Sequence, residues 1–111
     1  MKTLKRNELK EMNDQEQEDF VLLNVLPQDA FNEKHIRTSV NLPYDADDFE
    51  ETVERIAGSK DRKIVVYCAN FDCDASPKAA KKLEEAGFTN VYDYEGGTKD
   101  WFEQKEHKEV A

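Results

Sequence analysis

The sequence predicts an α/β domain in which helices cover both faces of a central, mostly parallel sheet of about five strands. Hydrophobic runs of strand length alternate with amphipathic helical patterns along the chain. The two longest runs are almost continuously apolar, which is typical of strands buried on both faces, as in parallel sheets. Such an alternation indicates a three-layer arrangement.

Four segments are predicted to be strands. The run DFVLLNVL is closed by Pro27, and the clearest strand, RKIVVYC, has no polar residue between Ile64 and Cys68 other than the hydroxyl of Tyr67. Two shorter segments are TSVNLPY and NVYDYEGG. The predicted strands therefore occupy residues 19–26, 38–44, 62–68 and 90–97.

The segments between these strands carry helix signals. In SPKAAKKLEEAGF, Ser76 is placed to cap a helix, Pro77 suits its first position and Gly87 suits its end. Trp101 is expected to anchor a terminal helix. The predicted helices occupy residues 3–13, 27–35, 45–59, 76–88 and 98–107.

Size and charge limit the classes of function. The 111 residues fit a single domain, 1–111, and the net charge of −9 argues against nucleic acid or an anionic membrane as a partner. No apolar run approaches the roughly 20 residues of a membrane span, and the first residues lack the apolar region of a secretory signal. We expect a cytoplasmic protein, in which two cysteines are more often free and chemically active than a structural disulfide.

Cys68 is the candidate nucleophile because it stands at the end of the clearest strand. Ligands bind beyond the carboxyl ends of strands in open α/β sheets. The loop from Ala69 to Ala75 leads into a helix start, where backbone N–H groups and the helix dipole would lower the pKa of a thiol. The alternative is that Cys68 is only a small apolar residue ending a strand.

Several segments in this order resemble a known family. FVLLNV, AFNEKHI, RTSVNLP, a strand ending in cysteine (IVVYC), the helix SPKAAKKLEEAGF, NVYDYEGG and Trp101 follow one another with matching spacing. Over nearly its whole length the chain resembles single-domain rhodanese-like proteins. The resemblance implies the rhodanese topology.

The resemblance also implies a sulfurtransferase. In the family a strand-end cysteine, matched here by Cys68, takes sulfane sulfur from a donor as a persulfide and passes it to a nucleophilic acceptor in two displacements. The implied partners are a sulfane-sulfur donor and a thiol or protein acceptor. No cofactor and no metal are implied, and we expect a monomer or weak homodimer.

The loop departs from the family pattern. The family's active loop has six residues counted from the cysteine and contains a glycine and an arginine; here both are missing and the loop is two residues longer before Ser76. Carboxylates near the thiol would oppose thiolate formation and repel thiosulfate, so a protein persulfide or small thiol is the expected donor. The predicted substrate-binding residues are Ala69, Asn70, Phe71, Asp72, Asp74, Ala75 and Ser76.

Other positions leave alternatives open. Asn24 and Leu26 stand where the family commonly has an acid and an arginine, and Arg37 or Lys78 is a candidate replacement for the lost cation. His35 is expected to be structural and His107 to be solvated, and the Cys and His spacings match no common zinc pattern.

The second thiol, Cys73, could accept the sulfur, resolve a persulfide into a disulfide, or be incidental. Two other functions therefore stay open beside sulfur transfer. One is a catalytically inactive rhodanese-like module that binds a partner through the loop. The other is a dithiol redox protein that uses Cys68 and Cys73. Phosphatase or arsenate reductase activity is disfavoured because the loop has no arginine to bind an oxyanion.

Overall fold

A computed structural model describes residues 2–15 and 19–110 of the chain, with side chains described as far as residue 103. The predicted solvation of His107 lies outside the described side chains. The strands are β1 (Lys2–Thr3), β2 (Phe20–Asn24), β3 (Val40–Asn41), β4 (Lys63–Tyr67) and β5 (Val91–Tyr94). The helices are α1 (Arg6–Asp14), α2 (Gln28–Glu33), α3 (Phe49–Ala57), α4 (Ala75–Glu85) and α5 (Gly97–Val110).

Within the described residues the five strands form one sheet in the order β1-β5-β4-β2-β3, and every pairing is parallel. Val65 of β4 is in register with Leu22 on one side and with Tyr92 on the other. The predicted fold class is therefore confirmed, and β4 is the central strand. Strand β1 was not predicted, because two exposed residues carry no periodic pattern.

The side chains of β4 alternate between two cores. Ile64 and Val66 face a cluster that is covered by α3 and α4, and Val65 and Tyr67 face a cluster that contains Leu9 of α1. This is the period-2 alternation of a strand buried on both faces. Cys68 continues the alternation and belongs to the first cluster.

The start of α4 differs from the sequence prediction. The helix begins at Ala75, with Asp74 as the capping residue but without a side-chain capping hydrogen bond. Ser76 therefore lies inside the first turn and is fully buried instead of capping the helix. Its hydroxyl lies 3.4 Å from the sulfur of Cys68, so the side chain contacts this thiol instead of the free N–H groups at the helix end.

The first turn of α5 holds the end of β4. The backbone N–H of Thr98 donates to the carbonyl of Cys68 at 3.0 Å, and that of Lys99 donates to the carbonyl of Ala69 at 2.9 Å. Gly97 permits this approach, since it has a φ of 65° and a Cβ there would lie 2.4 Å from the Cys68 carbonyl oxygen. The backbone on which the loop begins is thus fixed by the last helix.

Among the described helices, none combines the length and the apolar character that crossing a bilayer requires.

Candidate functional site

Cys68 lies at the carboxyl end of the central strand and its side chain is fully buried. Its Sγ is 3.4 Å from the Ser76 hydroxyl oxygen and 3.7 Å from the carbonyl oxygen of Cys73. The thiol is therefore enclosed between the first turn of α4 and the loop that precedes it. This is the edge of the sheet at which ligands bind in open α/β folds.

The predicted lowering of the thiol pKa is wrong for this structure. Burial raises the pKa of Cys68 to about 11, and the side chain of Cys73 adds to the rise. The hydroxyl and the backbone N–H of Ser76 act in the opposite direction. The rise in pKa from loss of hydration is therefore larger than the lowering by the groups at the start of α4. Burial has this effect because the anionic thiolate loses more hydration than the thiol does.

The loop over the sulfur is held by its own hydrogen bonds. The Asp72 N–H donates to the side-chain oxygen of Asn70 at 2.9 Å, and the Cys73 N–H donates to the Asn70 carbonyl at 3.2 Å. Phe71, at the outer end of the turn, is 70% exposed. Ala69, Asn70, Cys73 and Ala75 are half-buried, whereas Asp72 and Asp74 are exposed.

A small cavity of about 200 Å³ lies beside the loop. Its walls come from the loop and from the region around the start of α5. The lining residues are Asn70, Phe71, Asp72, Gly96, Lys99, Asp100 and Glu103.

Neither candidate cation replaces the missing arginine. Lys78 pairs with Asp74 at 3.0 Å on the surface of α4 and lowers the pKa of that carboxyl. Arg37 donates to the carbonyl of Asn13 at the far end of α1. Of the lysines and arginines that the structure describes, none is among the groups that shift the pKa of Cys68.

Asn24 and Leu26 form a turn after β2 where the family's charged pair would stand. The side-chain oxygen of Asn24 accepts a hydrogen bond from the Leu26 N–H at 3.0 Å, and the Asn41 amide lies 3.4 Å from the same oxygen. Asn24 is fully buried. An uncharged side chain suits this position, since a buried charge would need a partner.

His35 lies away from the thiol. Its Nδ1 is 2.9 Å from the Phe31 carbonyl oxygen, and its ring stacks on Phe31 with the centroids 4.0 Å apart. These contacts agree with a structural role. In the described part of the chain, no three His, Cys, Asp or Glu side chains come together as a metal site would require.

Asp93 is the residue that the sequence reasoning missed. It lies in β5 opposite Val66 and is fully buried, and neither of its carboxylate oxygens has a hydrogen-bond partner among the described residues. Burial raises its pKa, the nearby hydroxyl of Ser76 lowers it in part, and Glu95 adds to the rise. The signal in the sequence was an acid at an inward position of a predicted strand, between two tyrosines.

Comparison with known proteins places the chain in a family. The Rhodanese-like domain family matches residues 5–104. The chain is 31% identical over 83 residues to the thiosulfate sulfurtransferase GlpE of Coxiella burnetii, and this match covers 75% of the chain and 72% of the relative.

Solved structures agree with this match. The BH2092 protein of Bacillus halodurans has a TM-score of 0.82 and 26% identity, over 94% of this chain and 73% of that one. A thiosulfate sulfurtransferase of Pseudomonas aeruginosa has a TM-score of 0.81 at 22% identity, over 94% of this chain and 19% of that one, which shows the shared fold alone. The chain belongs to the rhodanese-like domain family.

Proposed function

We propose that the protein is a sulfurtransferase that carries sulfane sulfur as a persulfide on Cys68. The observation that carries the proposal is the position of the Cys68 sulfur at the carboxyl end of the central strand, enclosed by a loop and 3.4 Å from the Ser76 hydroxyl. A sulfur atom bound there would be shielded from water and from unrelated thiols.

The reaction is two displacements on sulfur. The Cys68 thiolate attacks the outer sulfur of a persulfide donor, R–S–SH, to give Cys68–S–SH and the thiolate R–S⁻. An acceptor thiolate then attacks the outer sulfur of Cys68–S–SH, which leaves Cys68 as thiolate and the sulfur on the acceptor. Each step breaks one S–S bond and forms another, so no external oxidant is needed.

The charges around the loop favour a persulfide donor over thiosulfate. Asp72 and Asp74 are exposed on the loop. Lys78 is paired with Asp74, and the cation that lines the cavity beside the loop, Lys99, shares it with the three acids Asp72, Asp100 and Glu103. The charge beside the loop is therefore net negative, which disfavours a doubly charged anion. We propose a protein persulfide or a small persulfidic thiol as donor and a thiol or protein as acceptor. We expect no nucleic acid or membrane partner, and a monomer or weak homodimer.

Cys73 is a second thiol of the proposed site. It is half-buried, its carbonyl contacts the Cys68 sulfur and its side chain contributes to the raised pKa of Cys68. Attack of Cys73 on the outer sulfur of Cys68–S–SH would bring the sulfur to a more accessible position. Attack on the inner sulfur would instead release hydrosulfide and form a disulfide, which is the dithiol redox function.

The two alternatives have observations in their favour. The buried, protonated thiol fits a module that binds a partner and transfers nothing, and the contact between two free cysteines fits a redox pair. A reducing compartment such as the cytoplasm suits any function that needs both thiols free.

Intact-mass measurement separates these functions. The protein is incubated with glutathione persulfide, with thiosulfate and with a persulfidated protein, and then weighed beside Cys68→Ser and Cys73→Ser. We expect wild type and Cys73→Ser to gain one sulfur from a persulfide donor, little gain from thiosulfate, and no gain in Cys68→Ser. Absence of added sulfur with every donor would contradict transfer and support a binding module. A loss of two hydrogens that needs both cysteines would support the redox function.

A further inference from the structure

Asp93 is a buried acid whose carboxylate has no hydrogen-bond partner among the described residues. Burying a carboxylate without hydrogen bonds is costly, so such a group either takes up a proton or has a second state in which it is satisfied. The Ser76 hydroxyl is a group able to satisfy it, since it lowers the pKa of Asp93 although it does not stand in hydrogen-bond geometry to either carboxylate oxygen. Ser76 is also the group 3.4 Å from the Cys68 sulfur.

These three residues meet because of the fold. Asp93 and Val66 are paired on β5 and β4, and Cys68 follows Val66 by two residues on the same side of the sheet. The first turn of α4 places Ser76 against this side. All three side chains are fully buried, so exchange of their protons with water is restricted.

We propose that Asp93 is a positioning residue that acts through Ser76 and sets the protonation state of Cys68. Ser76 has one hydroxyl hydrogen and can donate it either to the sulfur or to the carboxylate. With Cys68 as a thiol, the S–H donates to the Cys73 carbonyl or to Ser76, and the Ser76 hydroxyl can turn to Asp93. With Cys68 as a thiolate, the hydroxyl donates to the sulfur and Asp93 is left to hold a proton.

The change is a proton transfer with no other bond made or broken. Cys68–SH and Asp93–COO⁻ become Cys68–S⁻ and Asp93–COOH, with the thiol proton passing to Ser76 as the hydroxyl proton passes to the carboxylate. Two buried anions that both neighbour Ser76 would repel each other, so the pair is expected to share one proton over a range of pH. This would supply a thiolate where no arginine is available. The inference rests on Cys68 being the reactive thiol of the proposed function.

The groups that face the pair can be named. Cys73 acts on Cys68 from the loop, and Glu95 acts on Asp93 from the segment after β5. The first turn of α4 contributes the uncharged Ser76, and β4 contributes apolar Val66. Because Cys73 is the second thiol beside the Cys68 sulfur, the experiments include a variant without it.

The first experiment follows the Asp93 carboxyl carbon by NMR as the pH is varied. In the wild-type protein we expect the chemical shift of this carbon to change twice, first when Asp93 itself ionises and again when Cys68 ionises. In Cys68→Ala, we expect a single step and no second response in the alkaline range, because the group that ionises there has been removed. An Asp93 titration that is the same in both proteins would overturn the proposal. Because wild type is one arm, the measurement does not depend on whether an Asp93 variant folds.

The second experiment measures the rate at which iodoacetamide alkylates Cys68 across pH, with the site assigned by peptide mass. A shared proton keeps the fraction of Cys68 thiolate constant between the two ionisations. The plot of alkylation rate against pH for the wild-type protein should therefore show a plateau, called the level stretch below, before its final rise. We expect the stretch to be lost in Asp93→Asn and Ser76→Ala, and kept in Ser76→Thr, which retains the hydroxyl, and in Cys73→Ser. A stretch that persists in Asp93→Asn, or that disappears only in Cys73→Ser, contradicts the proposal.

Neither experiment uses a sulfur donor. A coupled titration in a protein that never gains sulfur would uphold the role of Asp93 and refute sulfur transfer. Sulfur loading on a Cys68 that titrates independently of Asp93 would do the reverse.

Discussion

The raised pKa of Cys68 shows how strongly burial dominates this site. Ser76 offers the sulfur a hydroxyl and a backbone N–H, yet loss of water still keeps the resting sulfur protonated at neutral pH. A cysteine stored as a thiol is protected from oxidation, because the thiolate is the species that oxidants attack. The proposed sulfur transfer would therefore require both access to the sulfur through the loop and a group that takes its proton.

Asp93 should make the stability of the protein depend on pH. Its pKa in the folded state is raised above the ordinary value of 3.8, so stability falls as pH rises from about 4 through the folded-state pKa. Asparagine has the same shape and does not ionise. We expect Asp93→Asn to raise the free energy of unfolding at pH 8 by about 1–3 kcal/mol, with a smaller gain near pH 4. Urea unfolding at the two pH values measures this.

Glu95→Gln is the matched control for that substitution. It removes the same charge two residues away, at an exposed position, and should change stability by less than about 0.5 kcal/mol. If Asp93→Asn were destabilising at pH 8, the carboxylate would have a partner that the structure does not show.

Residue roles at the site could be predicted only in part from the sequence. Cys68 is a candidate from the sequence because a cysteine at the end of an apolar strand is visible in the pattern, and its sulfur-carrying role is what the family resemblance implies. Ser76 was assigned to a helix cap from its place before Pro77, and its contact with the sulfur depends on how α4 packs on the sheet. Asp93 carries no motif, and its burial follows from the pairing of β5 with β4.

At the scale of elements, the contact between α5 and the end of β4 decides where the sulfur stands. Two N–H groups of the first turn of α5 bind the carbonyls of Cys68 and Ala69. These are the donors that a helix start always leaves free. The element boundaries near the site were predicted to within a few residues, but this contact joins segments about 30 residues apart and has no local signal.

Gly97→Ala tests the importance of this contact. The added methyl would lie 2.4 Å from the Cys68 carbonyl oxygen at a φ of 65°, so both a clash and backbone strain are expected. We expect a loss of more than about 2 kcal/mol in the free energy of unfolding. Chemical denaturation gives the value.

Gly58→Ala provides the comparison for Gly97→Ala. Gly58 ends α3 with a φ of 85°, but a methyl there would meet nothing within 4 Å. We expect a loss of about 1 kcal/mol in the free energy of unfolding, which comes only from placing a residue with a Cβ at a positive φ. Equal losses of unfolding free energy in the two variants would mean that the start of α5 moves away from the added methyl without destabilising the protein.

For the whole molecule, the alternation of strand and helix patterns was enough to predict the fold class, and the family resemblance implied the topology. Long apolar runs at 19–26 and 62–68 fixed β2 and β4 as inner strands, because no other arrangement buries both of their faces. The edge strands were harder to recognise: β3 has two residues and β1 was missed, since short strands at an edge bury little.

The strand order makes a prediction about local opening. Strand β4 is hydrogen-bonded on both sides and its side chains are buried in both cores, whereas β1 and β3 are edges. We expect amide hydrogen exchange to be slowest in β4 and fastest in β1. Faster exchange in β4 than in β2 would contradict the central place of the strand that carries Cys68.

The anchoring of the Cys68 and Ala69 carbonyls by α5 has a consequence for the order of events. Because the main chain is tied down on that flank, movement of residues 70–74, three of which are exposed, would open a path to the sulfur. Incoming and outgoing molecules that use this path would have to pass one after the other. The donor that has given up its sulfur would thus have to leave before the acceptor binds, and the shape of the site alone would impose this order.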